Sequence, residues 1–361
     1  MIRPEYKALF VGLLLAFSPA ESQAGDRLDH ELDSLKRQLV AAARQSQAHE
    51  ERVIGIETRL LELSRREAEL GAQLSGRRAD QAATLGALMR LARQPPQALI
   101  ATSATIDDAI RTSLLLATTA SLLDDEARRL GAALDELAAL HRRIASRRME
   151  LEGASAGLAE ERARLEALLE SARARRREAD ERPSGTAALT ASQTARLADE
   201  AETLIDLSVA VLALSEGGAA RFRPGRPFSA ARGSLPMPAR GRLVGLFGEG
   251  GGERKNKGII IETRDDAQVI TPYDGEVVYA GPFRGYGRLL IIDHGEGYHT
   301  LLAGFSRIDS VQGQWLLAGE PVGVMGRGLT DYKTLYVEFR HDGVAINPLP
   351  WLAVSETKAD G

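Results

Sequence analysis

Apolar residues recur every three or four positions along the first half of the chain, which is the spacing of an α-helical coiled coil. A first run begins at Leu32 and ends at Leu74, and a second begins at Leu123 and ends at Ala172. The seam of the first run comprises Leu32, Leu35, Leu39, Ala42, Ser46, His49, Val53, Ile56, Leu60, Leu63, Glu67, Leu70 and Leu74. For the second run the predicted seam includes Ala127, Leu130, Leu134, Leu137, His141, Ile144, Arg148, Leu151, Ser155, Leu158, Arg162, Leu165 and Leu169.

A break separates the two runs. Pro95-Pro96 ends the first helix, because proline donates no backbone hydrogen bond and disfavours a helical residue before it. Thr105 then has the sequence context of a capping box that opens the next helix. We therefore predict an antiparallel coiled-coil hairpin over residues 25–185 with a helical tip at about 93–122. A dimer of chains that pair through single heptad runs fits the same pattern.

The tip is more apolar than a solvated turn requires. Its apolar side chains either pack on each other or form a docking surface for a partner. They are Leu99, Ile100, Ile106, Ile110 and Leu114.

Residues 186–217 predict a further helix, and residues 218–235 read as a Pro-, Arg- and Gly-rich linker. The end of this helix is too apolar for one exposed face, so it must be buried. It either covers a groove of the following domain as a regulatory latch or completes the helical bundle. The residues concerned are Leu204, Ile205, Leu207, Val211 and Leu212.

The pattern changes to short strands with glycine turns in the last part of the chain, which predicts an antiparallel β domain over residues 236–356. The fold class is therefore α+β with several domains. The predicted strands are Ile259–Ile261, Glu276–Ala280, Leu289–Ile292, His299–Leu302, Val322–Met325 and Thr334–Phe339.

Composition supports this division and narrows the function. No aromatic residue occurs between Phe17 and Phe222, as expected for a narrow helical seam followed by a compact β core. The chain has no cysteine, which excludes disulfides and thiolate zinc sites. Basic residues, the apolar run Ala8–Phe17 and small residues before a predicted cleavage at Ala24 indicate a secretory signal at 1–24. We expect an exported protein with no nucleic-acid role and no transmembrane segment after cleavage.

The β domain resembles the LytM/lysostaphin-type zinc endopeptidases, whose fold is a duplicated hybrid motif. The resemblance rests on Lys257–Ile260, Ile270–Gly281, Gly285–Gly295 and Leu335–Arg340, which occur in the order of that family. These peptidases hold zinc with a His-x-x-x-Asp pair and the second His of a His-x-His, and another His lies between. Carried onto this chain, these positions fall on Asn256, Ile260, Gly304, Thr334 and Tyr336.

These substitutions predict the absence of a catalytic metal. Catalytic zinc needs three protein ligands and an open position for water, and without it nothing lowers the pKa of that water toward 7. We therefore expect no metal, no cofactor and no catalytic residue in this domain.

The whole layout resembles the EnvC family of murein hydrolase activators. That resemblance implies a periplasmic protein, recruited to the division septum, that activates a zinc-dependent N-acetylmuramoyl-L-alanine amidase. It also implies that the coiled coil docks on the FtsX-like periplasmic domain of an FtsEX-type complex, and peptidoglycan is a further possible partner. The alternatives are a divergent endopeptidase and a non-enzymatic peptidoglycan-binding module.

The former metal site would then be a partner-binding groove. Tyr and Arg are the side chains that most often anchor interfaces. The alternative is that Glu338 and Arg340 pair on the surface while Tyr336 fills the space left by zinc. The groove residues are Asn256, Lys257, Ile260, Tyr286, Gly304, Thr334, Tyr336, Glu338 and Arg340.

Overall fold

The computed structural model describes residues 19–92, 106–180, 226–250, 255–284, 286–326 and 333–353. The tip residues Leu99 and Ile100 lie outside these ranges, as do most of the predicted export signal and the whole regulatory helix with Leu204, Ile205, Leu207, Val211 and Leu212. The described chain forms two compact units, residues 1–48 with 159–361 and residues 49–158.

Two long helices make up the first half of the described chain. Helix α1 is Pro19–Ala92 and helix α2 is Ile106–Asp180. The helix that Thr105 is predicted to open begins at Ile106, and no proline or glycine interrupts residues 106–122, so they form the first turns of α2. The rest of the predicted tip, residues 93–105, lies outside the described residues. Among the described helices, none has an apolar stretch of the length that crossing a bilayer would need.

The helices are antiparallel in both units, which confirms the predicted hairpin. In the unit formed by residues 49–158, Arg66 pairs with Glu136 at 3.4 Å and Arg77 pairs with Glu126 at 3.7 Å. Residues later in α1 therefore pair with residues earlier in α2, as antiparallel helices require. In the other unit, Gln45 donates a 3.0 Å hydrogen bond to Glu161 and Glu31 pairs with Arg175 at 3.6 Å, so the helices run in opposite directions there as well.

The predicted seam of the first run is correct, since each of its positions is buried or half-buried. In the second run, every other predicted position between Ala127 and Ser155 is exposed, and a position next to it is turned inward instead, whereas the predicted seam is buried or half-buried from Leu158 onward. Leu134 is 38% exposed, whereas Leu140 and Ile144 are 5% exposed, so the chain steps inward at Leu137, Leu140 and Ile144. The exposed members of the predicted seam are Ala127, Leu134, His141, Arg148 and Ser155.

The β domain is one antiparallel sheet of ten strands in the order β1-β2-β9-β6-β5-β4-β7, with β10 paired to β9, and β8 paired to both β3 and β6. All six predicted strands are present with longer bounds, and β1, β3, β7 and β10 are additional. The strands are β1 Gly241–Gly245, β2 Ile259–Thr263, β3 Gln268–Ile270, β4 Gly275–Phe283, β5 Gly287–Asp293, β6 Tyr298–Ile308, β7 Trp315–Leu316, β8 Pro321–Met325, β9 Thr334–His341 and β10 Val344–Ile346.

The two faces of the central strands bury different clusters, because side chains alternate along a strand. On β9, Leu335, Val337 and Phe339 face the main core. Tyr336 faces a smaller cluster that includes Leu289 and Leu301. The residues Glu338 and Arg340 share the face of Tyr336 by the same alternation.

Part of the predicted linker belongs to the core of the β domain. Phe228–Ala231 form a 3₁₀ helix, and Phe228 is fully buried. The ring of Phe228 lies 4.9 Å from that of His294, 4.7 Å from that of Tyr298 and 5.1 Å from that of Trp351, measured between centroids. The prediction of a linker over 218–235 is therefore wrong from residue 228 onward. The physical reason is that the ring of Phe228 packs among other rings of the β domain, whereas a linker would leave it in solvent.

Candidate functional site

Two of the positions that would carry zinc ligands lie side by side in the sheet. Ile260 on β2 is the direct cross-strand partner of Tyr336 on β9. On the other side of Tyr336 the partner is Ala303 of β6, next to Gly304. The sequence resemblance therefore brought together residues that the sheet also places together.

Tyr336, Glu338 and Arg340 form a hydrogen-bonded chain along one face of β9. The phenol of Tyr336 donates a 2.6 Å hydrogen bond to Glu338 Oε2. The guanidinium Nε of Arg340 donates a 2.6 Å hydrogen bond to Glu338 Oε1. Glu338 is 0% exposed and Arg340 is 2% exposed, so this ion pair lies in the interior of the domain. The alternative interpretation, in which the two residues pair on the surface, is therefore wrong on this point.

The environment keeps both tyrosines of the groove protonated. Burial, followed by the negative charge of Glu338, raises the pKa of Tyr336 above its ordinary value of 10. The same two causes raise the pKa of Tyr286. The two rings lie 5.9 Å apart between centroids, so Tyr336 is held by Tyr286 on one side and by a carboxylate acceptor on the other.

Gly304 occupies a position that only glycine suits. Its φ is +104°, and a Cβ added there would lie 2.4 Å from the carbonyl oxygen of Thr334. A histidine with this backbone would collide with β9. In this backbone conformation the position disfavours a histidine such as the middle one of the peptidase pattern.

The remaining groove residues lie at the rim. The backbone of Asn256 bonds a neighbouring turn twice, from its N–H to the Glu249 carbonyl and from the Gly248 N–H to its own carbonyl, each at 2.8 Å. Lys257 and Thr334 are exposed, and Asn256, Ile260, Tyr286 and Tyr336 are half-buried.

These residues do not fit a catalytic zinc ion. Ile260 offers no donor, Gly304 has no side chain, and the oxygen of Tyr336 is occupied by Glu338. Among the residues that the structure describes, no group of three or more His, Cys, Asp or Glu side chains is arranged to hold a metal.

Sequence reasoning missed one polar residue on the same face. His299 on β6 is the cross-strand partner of both Arg340 and Asp293. It is 3% exposed, and burial lowers the pKa of His299, with the nearby Asp293 opposing the shift. The alternation of β6 could have revealed it, because His299, Leu301 and Ala303 share one face.

The chain matches known proteins over its carboxyl-terminal part. Residues 254–348 match the model of Peptidase family M23. The murein hydrolase activator EnvC of Escherichia coli is 35% identical over 126 residues, which cover 34% of this chain and 30% of that protein. The murein hydrolase activator NlpD of the same organism is 37% identical over 118 residues, which cover 32% of this chain and 30% of that protein.

A solved structure, the catalytic domain of lysostaphin from Staphylococcus simulans, aligns with a TM-score of 0.27 and 18% identity over 31% of this chain and 89% of that one. The chain spans about a third of the length of the two activators. Residues 254–348 are therefore similar in sequence to peptidase family M23, and about a third of the chain is similar to parts of two murein hydrolase activators.

Proposed function

We propose that this chain is an exported, periplasmic and non-catalytic activator of a zinc-dependent peptidoglycan amidase. The observation that carries the proposal is the pairing of Ile260 with Tyr336 where an M23 peptidase would hold its metal. The names of the two relatives, which are activators of murein hydrolases, support the same function. An activator needs a shaped surface for the enzyme and no metal of its own.

The proposed contact surface has a polar and aromatic rim over a buried ion pair. An amidase segment would meet Lys257, Thr334 and the half-buried rings of Tyr286 and Tyr336. Glu338 and Arg340 lie behind Tyr336 and fix the direction of its phenol. In this proposal they are positioning residues, and the rim residues are the contacts.

The test is amidase activity on purified cell-wall sacculi with and without the full chain. We expect Lys257→Glu and Tyr286→Ala to reduce activation, because they alter the rim and leave the ion pair intact. Val311→Ser is the matched control, since Val311 is 54% exposed and lies outside the groove. Equal activation by both rim variants and the control would overturn the groove assignment.

A second candidate function is peptidoglycan cleavage, which the M23 match itself favours. It predicts about one zinc ion per chain and new muropeptide fragments that EDTA abolishes. Metal analysis of the purified chain and chromatography of digested sacculi separate the two functions. Binding to sacculi with neither cleavage nor activation would instead indicate a peptidoglycan-binding module.

We also propose roles for the segments around the domain. The apolar tip with Ile106, Ile110 and Leu114 would dock on the FtsX-like domain of an FtsEX-type complex at the septum, as the EnvC resemblance implies. Ile110→Asp should then abolish co-purification with that domain, and retained co-purification would reject the tip as the docking surface.

The predicted helix 186–217 would restrain activation of the amidase. Deletion of residues 190–216 should therefore raise amidase activation, and unchanged activation would contradict this role.

A further inference from the structure

The base of the hairpin, defined as residues 30–47 of α1 and 159–177 of α2, contacts the β domain within one compact unit. The centre of the contact is apolar. Ile270 at the end of β3 is 1% exposed and packs with Leu39, Ala43, Leu165 and Leu169 of the two helices. Ile270 belongs to neither core cluster of the β domain, so the helices bury its side chain.

Charged side chains form an alternating row beside this apolar centre. Arg173 of α2 donates a 2.5 Å hydrogen bond to Asp309, which also accepts a 2.7 Å bond from Arg307. Arg307 in turn donates a 2.8 Å bond to Glu166 of α2. Burial lowers the pKa of Arg307, but its hydrogen bonds to Asp309 and Glu166 outweigh that and raise it above the ordinary value.

Helix side chains also reach backbone carbonyls around the contact. Lys36 donates to the carbonyl of Trp315 at 3.2 Å, Gln47 to that of Pro238 at 3.3 Å, and Arg162 to that of Asp265 at 3.2 Å. Trp315 begins β7, whereas Pro238 and Asp265 lie outside the strands, and the Pro238 carbonyl also accepts from the N–H of Ile270 at 2.8 Å. The helix side chains therefore add hydrogen bonds at the margin of the sheet.

The contact is also close at the backbone. A Cβ added to Gly319 would lie 3.3 Å from Val40 and 3.5 Å from Arg44, and the φ of Gly319 is +84°. The missing side chain therefore lets the turn before β8 approach α1.

We propose that the face of the β domain around Ile270 and Asp309 is a second interaction surface, whose partner is the hairpin base of the same chain. It combines an apolar centre with a charged rim, which is the composition of a specific interface. None of the contacts given above, all between described residues, involves a groove residue, so the hairpin base does not itself cover the groove. The β domain is thereby held in one orientation on the hairpin base.

The absence of cysteine allows a direct test in the full chain. Arg44→Cys and Ala318→Cys place one thiol on each side of the contact, and a short bis-maleimide should join them within one chain. Ile270→Asp should lower the yield at least about tenfold, because docking would bury an unpaired carboxylate among leucines. Ile270→Leu, which conserves volume, should keep the yield of the parent.

Arg173→Glu keeps the test decisive if Ile270→Asp fails to fold, because it leaves the β domain unchanged. It should lower the yield about twofold to fivefold at low salt, and the difference from the parent should shrink at high salt, because added ions screen the pair. The matched control is Arg177→Glu, an exposed arginine one turn further along α2. The proposal is overturned if folded Ile270→Asp gives the same crosslink yield as the parent, or if Arg173→Glu gives the same yield as Arg177→Glu. It is also overturned if the crosslinks join two chains and not two sites of one chain.

Discussion

Tyr336 donates its phenol hydrogen to Glu338 over 2.6 Å, and this carboxylate is fully buried two residues further along β9. The bond gives the phenol of Tyr336 a fixed acceptor inside the domain. Tyr336→Phe keeps the ring but leaves one carboxylate oxygen unpaired. We expect the free energy of unfolding to fall by about 1–3 kcal/mol in urea denaturation. Tyr286→Phe removes a phenol that has no hydrogen bond to another described residue, so it should change the free energy of unfolding by less than about 0.5 kcal/mol.

Replacing only one partner of the Glu338–Arg340 ion pair should destabilise the domain strongly, because the other charge then stays buried without a partner. Arg340→Met leaves a carboxylate at 0% exposure without its 2.6 Å partner, and the free energy of unfolding should fall by about 3–5 kcal/mol. The double variant Glu338→Leu with Arg340→Met should be less destabilised than the sum of the two single variants. A double-mutant cycle from denaturant titrations measures this coupling, and strict additivity would contradict it.

His294 makes stability depend on pH. Its Nδ1–H donates to the carbonyl of Asp274 and its Nε2 accepts from Thr300, both at 2.7 Å. Burial lowers the pKa of His294 from 6.5 to about 3. The unfolded chain therefore binds a proton between pH 6.5 and about 3 that the folded chain does not. The free energy of unfolding should fall with decreasing pH in this window, by up to about 1.4 kcal/mol per pH unit from this group.

The control for that pH dependence is His294→Gln, which cannot take up the proton. Thermal melts of this variant should lose this part of the slope between pH 6.5 and 4, whatever its stability at pH 7. An unchanged slope would show that other groups produce the acid sensitivity.

Phe228 should behave as a core residue. Phe228→Ala empties a cavity lined by His294, Tyr298 and Trp351, and the free energy of unfolding should fall by about 3–5 kcal/mol. Phe228→Leu should cost less, because it fills part of the volume. Near-ultraviolet circular dichroism follows the same change through the packed rings, and a melting curve unaffected by Phe228→Ala would reject the packing.

Alanine variants of Gly313 and Gly304 distinguish the cost of backbone strain from the cost of a steric collision, because both have positive φ but only Gly304 has an atom close to the added Cβ. Gly313 has a φ of +77° and open space around an added Cβ, so Gly313→Ala should cost about 1–2 kcal/mol. Gly304→Ala adds the 2.4 Å contact with Thr334, and its cost should exceed that of Gly313→Ala by at least about 1 kcal/mol. Equal melting temperatures for the two variants would contradict the collision.

Much of the fold follows from the sequence because heptad spacing and apolar runs bounded by glycine each favour one kind of secondary structure. The strands around Ile260 and Tyr336 were predicted, since glycine turns bound apolar runs on both sides. The strands β3 and β7 were missed because three and two residues carry no periodicity. In α2 the seam was shifted because alanine and leucine occupy neighbouring positions, as Ala133 and Leu134 do, and only packing against α1 decides between them.

The sequence predicted which residues of the candidate site lie close together, but it did not predict how deeply each of them is buried. The alignment placed Ile260, Gly304 and Tyr336 together, but burial of Glu338 and Arg340 depends on neighbouring strands that a linear pattern does not specify. Likewise, Phe228 among Pro, Arg and Gly gave no local sign that it enters a core 45 or more residues further along the chain.

The backbone at Gly304 also limits which side chains this strand can accommodate. The Cβ of any other residue there would lie 2.4 Å from the carbonyl oxygen of Thr334, so β6 or β9 would have to shift to make room. A histidine placed at this position alone would therefore cost stability, and it would lack partners at Ile260, which has no donor atom, and at Tyr336, whose phenol is bonded to Glu338. An engineered metal centre on this sheet would have to begin with the backbone and not with the ligands.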